Sequence, residues 1–96
     1  MIILHAEYKA KPGMRSKIEE LAMPCMEATR KEEGCISYTV YASIEDPDGL
    51  ICVERWESKA HLGAHGKTTH YAAFSEARKP YMVVESMQLN VYETKE

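Results

Sequence analysis

The segment "EDPDG" at Glu45–Gly49 separates two stretches of alternating hydrophobicity, and it leaves this chain few ways to fold. Pro and Asp set the bend and Gly supplies the left-handed conformation. Cys35–Ile44 and Leu50–Glu57 are therefore expected to return on each other as an antiparallel hairpin. In the first arm Ile36, Tyr38, Val40, Ala42 and Ile44 alternate onto one face. Upstream, Ile2–Ala10 alternates too, with Ile2, Leu4, Ala6 and Tyr8 on one side, and "KPG" at Lys11–Gly13 ends that strand.

Beyond "KPG" the period changes. Met14, Ile18, Leu21, Ala22, Cys25 and Thr29 form the stripe of an amphipathic helix. Pro24 removes one of its backbone hydrogen bonds, so a kink or break is expected there, and Gly34 is the expected stop at C′. After the hairpin, Ser58 caps a short helix reaching about Gly66. Thr68 or Thr69 caps another, which stops before Pro80, and Val83–Tyr92 is the last strand. The order β-α-β-β-α-β is the ferredoxin-like pattern, an α+β fold with a four-stranded antiparallel sheet carrying helices on one face.

One domain is expected over residues 1–96. The third strand is apolar on both faces, with Leu50, Cys52 and Trp56 on one and Ile51 and Val53 on the other. The fourth strand shows Val83, Met87, Leu89 and Val91 on one side, and Met82, Val84 and Tyr92 on the other. Helices on one face cannot cover both. A second copy of the chain is the simplest cover, so a homodimer is expected.

A net charge of −3 without a basic patch argues against nucleic acid or an anionic membrane as partner. Cys25, Cys35 and Cys52 are odd in number and lack CxxC spacing, and no segment reads as a signal peptide or membrane span. The expected compartment is the cytoplasm.

The stretch "WESKAHLGAHGKTTHYAAF", Trp56–Phe74, holds three of the four histidines. His65 shares a side of its helix with Leu62, and His61 lies at the margin. His70, Ala73, Phe74 and Ala77 make one stripe of the next helix, so His65 and His70 are expected to point toward the sheet. Glu54 and Trp56, two apart on a strand, share a face. Each of these residues alone reads most simply as core or boundary. Ionisable groups interleaved with aromatics at one layer boundary are costly unless they line a pocket. The spacing of His61 and His65 suits zinc, but "HLGAH" lacks the acid of HExxH, so no metal site is expected.

"EEGC" before the second strand, "ERWES" ending the third, and "AHLGAH…TTHYAAFSEA" through the helices are similar to the antibiotic biosynthesis monooxygenase family, notably its small bacterial quinol monooxygenase-like members. The resemblance spans nearly the whole chain. It implies a ferredoxin-like fold and a dimeric α+β barrel, with an apolar pocket between sheet and helices. It also implies oxidation of a phenol or quinol by O2 without metal, flavin or other cofactor. Trp56, His65 and His70 carry over from the motifs. The first strand reads "HAEYK", and the only Asn is Asn90, where some relatives use an asparagine on that strand. This departure counts against the haem-degrading branch.

The expected activity is a cofactor-free monooxygenase acting on a small aromatic quinol or phenol. His65 or His70 would be the base and Glu54 a further catalytic group, with Trp56, Tyr38, Leu62 and Phe74 holding the substrate. Two alternatives stand beside it. "HGKTTHY" at His65–Tyr71 resembles a run in a related isomerase of a phosphorylated metabolite, which keeps isomerisation of a small oxygenated metabolite open. A non-catalytic small-molecule-binding dimer is the other.

Overall fold

The computed structural model describes residues 1–95. Its elements are β1 (Ile2–Ala10), α1 (Arg15–Thr29), β2 (Cys35–Ala42), β3 (Gly49–Trp56), α2 (Lys59–His65), α3 (Thr69–Arg78) and β4 (Met82–Glu93), with a 3-10 turn at Lys79–Tyr81. The strands form one antiparallel sheet in the order β2-β3-β1-β4. This is the ferredoxin-like arrangement, with two short helices filling the second helical position.

Local chemistry explains most boundaries. Ser58 and Thr68 each accept a backbone N–H of their helix's first turn, from His61 and Tyr71 respectively, at 3.3 Å. The Thr68 hydroxyl also donates to the His65 carbonyl at 2.8 Å, tying the start of α3 to the end of α2. At the hairpin, Ser43 Oγ accepts the Asp46 N–H at 3.0 Å and Asp46 accepts that of Asp48 at 2.9 Å. Arg15 Nη1 adds bonds to the Ser43 and Asp46 carbonyls, pinning the turn to the start of α1.

Six expectations change. Gly49 does not take the left-handed conformation expected of it in the hairpin turn, since among the described glycines only Gly13 and Gly34 have positive φ; the Ser43 and Asp46 side chains shape the bend instead. Helix α1 runs unbroken through Pro24. It ends at Thr29, so Gly34 is no helix stop. Its φ of +81° serves instead the turn into β2, where a side chain would also overlap the His61 ring. Strand β2 ends at Ala42, and Ile44 is fully exposed. The pairing slips between Cys35 and Ser37, and this bulge takes Ile36 off the face of Tyr38 and leaves it exposed. A larger irregularity separates the β1–β4 pairs Glu7–Gln88 and Lys9–Val83, so Val83 leaves the face of Leu89. Ser86 stitches that bulge, accepting from Lys9 N–H at 2.9 Å and donating to the Val83 carbonyl at 2.6 Å.

The register settles which face meets the helices. Ile2 pairs with Trp56, Leu4 with Glu54, Ala6 with Cys52 and Tyr8 with Leu50. Except for half-buried Leu4, these residues are buried, together with Tyr38, Met82, Phe74 and the α1 stripe of Ile18, Ala22, Cys25 and Met26. The Glu54/Trp56 face is thus the helix face. The opposite face carries half-buried Ile3, His5, Ile51 and Val53 beside exposed Tyr41 and Tyr92.

That second face generates an assembly prediction. Sedimentation at low micromolar concentration is expected to give a homodimer, and Val53→Lys to shift it toward monomer by placing a charge in the covered face. A monodisperse wild-type monomer would refute the cover argument.

Candidate functional site

A cavity of about 190 Å3 lies under the helices. Its wall includes Tyr38, Glu54, Leu62, His65, Tyr71, Phe74 and Arg78. A larger hollow of about 510 Å3 lies around Glu7, Lys9, Asp46 and Ser86 and contains no histidine. The smaller one holds the titratable groups that the fold buries at a cost, and is the better candidate.

His65, the last residue of α2, is the centre of the site. Its ring lies among Tyr38, Trp56 and Tyr71, with centroid distances of 5.3, 5.0 and 5.1 Å. Nδ1 is 2.7 Å from Glu32 Oε2, and His70 Nε2 is 2.7 Å from the same oxygen. Glu32 comes from the loop between α1 and β2, and its side chain is mostly buried. A carboxylate accepts, so the His65 proton belongs on Nδ1 and the lone pair on Nε2. That Nε2 is buried and has no hydrogen-bond partner. An unmet buried acceptor costs about 1–3 kcal/mol, so the arrangement is poised to receive a donor.

Glu54 lies in the same wall, buried, and accepts from Trp56 Nε1 at 3.1 Å. Burial raises its pKa, while the Trp56 hydrogen bond and the nearby His65 hold that rise back. Burial likewise raises the Tyr38 hydroxyl far above its usual range and pushes up the Cys52 thiol. Neither is poised to ionise near neutral pH.

The expected site residues therefore separate. His65, Glu54, Tyr38, Leu62 and Phe74 line the cavity. Trp56, expected to stack on a substrate, is wholly buried outside that lining, tilted against His65 and bonded to Glu54. His70 is also outside it, because the buried stripe of α3 is Phe74 and Arg78 with Tyr71 half-buried, and Ala73 and Ala77 are exposed. The helix is turned about one position from the expected face. His61 is as exposed as His70, and its Nδ1 lies 2.8 Å from Ser58 Oγ. Sequence reasoning missed Glu32, Tyr71 and Arg78. The i, i+3, i+7 spacing of the last two with Phe74 was a signal, whereas nothing local marks Glu32.

Glu32, His65 and His70 also place three donor atoms within 4.8 Å of one another, the one such group among the described residues. The spacing of His61 with His65 is not used. At 2.7 Å the carboxylate–ring separations are hydrogen-bond lengths. Tetrahedral zinc with bonds of about 2.0–2.2 Å needs its ligand atoms roughly 3.4 Å apart. The trio as it stands is a hydrogen-bonded relay.

Fold and site define a small ferredoxin-like α+β protein with a ligand-sized cavity beneath its helices. Residues 1–77 match the family model described as Antibiotic biosynthesis monooxygenase, and the chain belongs to that family. It is 35% identical over 89 residues to an Escherichia coli (strain K12) protein called "Probable quinol monooxygenase YgiN", covering 82% of this chain and 86% of that one. A conserved protein from Methanosarcina mazei Go1 superposes with a TM-score of 0.90 at 29% identity, over 98% of this chain and 92% of that one. Rv0793 from Mycobacterium tuberculosis shares the fold with a TM-score of 0.87 at 24% identity, over 99% and 94% of the two chains.

Dialysis against a chelator is expected to leave the melting temperature and any turnover unchanged. Stoichiometric zinc in the purified protein, lost together with stability on chelation, would instead make the Glu32–His65–His70 group a metal centre.

Proposed function

We infer that the chain is a cofactor-free monooxygenase of a small aromatic quinol or phenol. The observation that carries this reading is the unpartnered Nε2 of His65, a ring that lines the cavity and is held from behind by Glu32. A substrate hydroxyl donates to Nε2, which has almost no exposed surface, so the lining shifts slightly as the ring enters. His65 takes the proton as general base, and Glu32 fixes its tautomer and stabilises the charge it gains. The phenolate passes one electron to O2, and recombination forms a ring peroxide. One oxygen atom remains on the ring and the other leaves as water, so a hydroquinone and O2 give a hydroxyquinone and water. The substrate supplies all the electrons. Tyr38, Tyr71 and Phe74 offer aromatic faces to the ring. His70 and Trp56 position His65 and Glu54 and do not meet the substrate.

Support for the surroundings is coarser. The family is one of small-molecule oxygenases by name, and no helix among the described residues is long and apolar enough to cross a membrane. All three cysteines are free, in keeping with a reducing compartment. A homodimer in the cytoplasm acting without cofactor is the proposal. One observation favours a second reading, isomerisation: Glu54, its pKa raised by burial, lines the same cavity as His65, which sets an acid beside a base.

Oxygen uptake with a quinol separates the two readings. His65→Ala is expected to slow quinol oxidation by at least tenfold, within the ~10²–10⁴ range of general acid–base catalysis. Glu32→Gln should give a smaller loss and His70→Ala a smaller one still, with His61→Ala near neutral. Full activity in His65→Ala, or dependence on His61, would end this mechanism.

A further inference from the structure

Arg78 is 8% exposed and stands in the wall of the cavity that holds His65. Its guanidinium carbon is 4.9 Å from the ring centre of Tyr8 and 4.7 Å from that of Phe74. Among the described residues no carboxylate pairs with it. The Tyr8 hydroxyl is buried within reach of the Arg78 guanidinium, but the two are not aligned as a hydrogen bond and the hydroxyl has no other partner. Tyr8 lines the same cavity.

A buried charge without a counter-ion is expensive. The two ring faces recover part of that cost, and so does the place of Arg78 in the last turn of α3. Neither supplies an anion for the planar fork of N–H donors. The long side chain of a helical residue leans back toward the helix start, which for α3 is the end tied to His65 through Thr68. One cavity wall thus presents a base, His65, and a cation with an orphaned hydroxyl beside it.

We propose that Arg78 and the Tyr8 hydroxyl form an oxyanion subsite, and that the substrate is a single-ring aromatic bearing one carboxylate besides its hydroxyl groups. The substrate class rests on the quinol-oxidising reading given above; the subsite does not. A guanidinium fork matches a planar carboxylate with two parallel hydrogen bonds. Among the described residues, Arg78 and His65 are the only basic side chains of the cavity wall, which also carries the Glu54 carboxyl, and this suits a monoanion better than a phosphate dianion. The volume of about 190 Å3 agrees, because an apolar cavity of about 150 Å3 accepts benzene. The arrangement leaves room for one ring and a small substituent.

The test compares hydroquinone with 2,5-dihydroxybenzoate, which differs only by the carboxylate. Affinities are measured by calorimetry without oxygen, on the full chain. The carboxylate compound is expected to bind roughly ten- to a hundredfold tighter, the worth of a charge-assisted hydrogen-bond pair. In Arg78→Gln the ratio should fall below about threefold, and in Arg78→Lys it should fall part of the way, since Lys lacks the fork. If the Arg78 variants do not fold, the wild-type ratio and its reduction in Tyr8→Phe decide. Equal wild-type affinities, no binding of either compound, or a ratio untouched by the substitutions that fold would overturn the proposal. Oxygen uptake is then read separately. A carboxylate preference without uptake retires the oxygenase reading and leaves the subsite standing. Uptake with hydroquinone and no preference retires the subsite alone.

Discussion

A single oxygen atom, Oε2 of Glu32, holds the candidate site together. It receives His65 from the end of α2 and His70 from the first turn of α3, both at 2.7 Å. The loop between α1 and β2, on which Glu32 sits, is shaped by the left-handed Gly34 and by the Cys35 N–H bonding to the Glu32 carbonyl. The α2–α3 junction and a loop more than 30 positions upstream of it therefore converge on one carboxylate. The contact is mostly buried, so water neither competes for it strongly nor screens it as at a surface. Thr68 adds a second tie between the two helices. With α2 only seven residues long, such ties matter more than its own hydrogen bonding.

Everything chemical in the wall follows from helices lying on one face of the sheet. β3 delivers Glu54 and Trp56 to that face, and β1 delivers Tyr8. The helices then close over them and bury a carboxyl, an imidazole and a guanidinium around a small space. A core built for stability would use apolar side chains at those positions. The unmet hydrogen-bonding atoms of His65 and Tyr8 are a standing cost in stability. Such costs gather where binding or chemistry recovers them. Among the described residues the other sheet face holds no comparable group of buried ionisable side chains, and its half-buried Ile51 and Val53 suit contact with a second copy.

Trp56 shows how a residue type can mislead as to its role. It has the apolar area to stack on a substrate, yet it is wholly buried and its N–H is committed to Glu54. Its ring instead lies 5.0 Å from that of His65 and limits where the imidazole can turn. An aromatic packed against an imidazole restricts the orientations that ring can take, without itself facing the cavity.

The sequence by itself determined the element order, the hairpin at "EDPDG", the cap at Ser58, a threonine cap at Thr68 or Thr69, and the buried stripe of Ile18, Ala22 and Cys25. Each depends on residues a few positions apart, and period and capping chemistry report them directly. The same locality put His65, Leu62 and Phe74 on inward helix faces and Glu54 and Trp56 on a common strand face, but only the sheet register decided that this strand face, with Tyr38, meets the helices. The bulges at Ile36 and between Val83 and Gln88 lay beyond that reach, since a bulge reverses the alternation without any change of composition. So did the turn of α3 that brings Arg78 inward and leaves His70 at the margin, because two stripes of that helix were similarly apolar and packing chose between them. Glu32 lies 33 and 38 positions from its histidines, in a charged run that reads as solvated surface. Only the packing of the helices on the sheet decides that one of its two adjacent glutamates turns inward and becomes the support of the site.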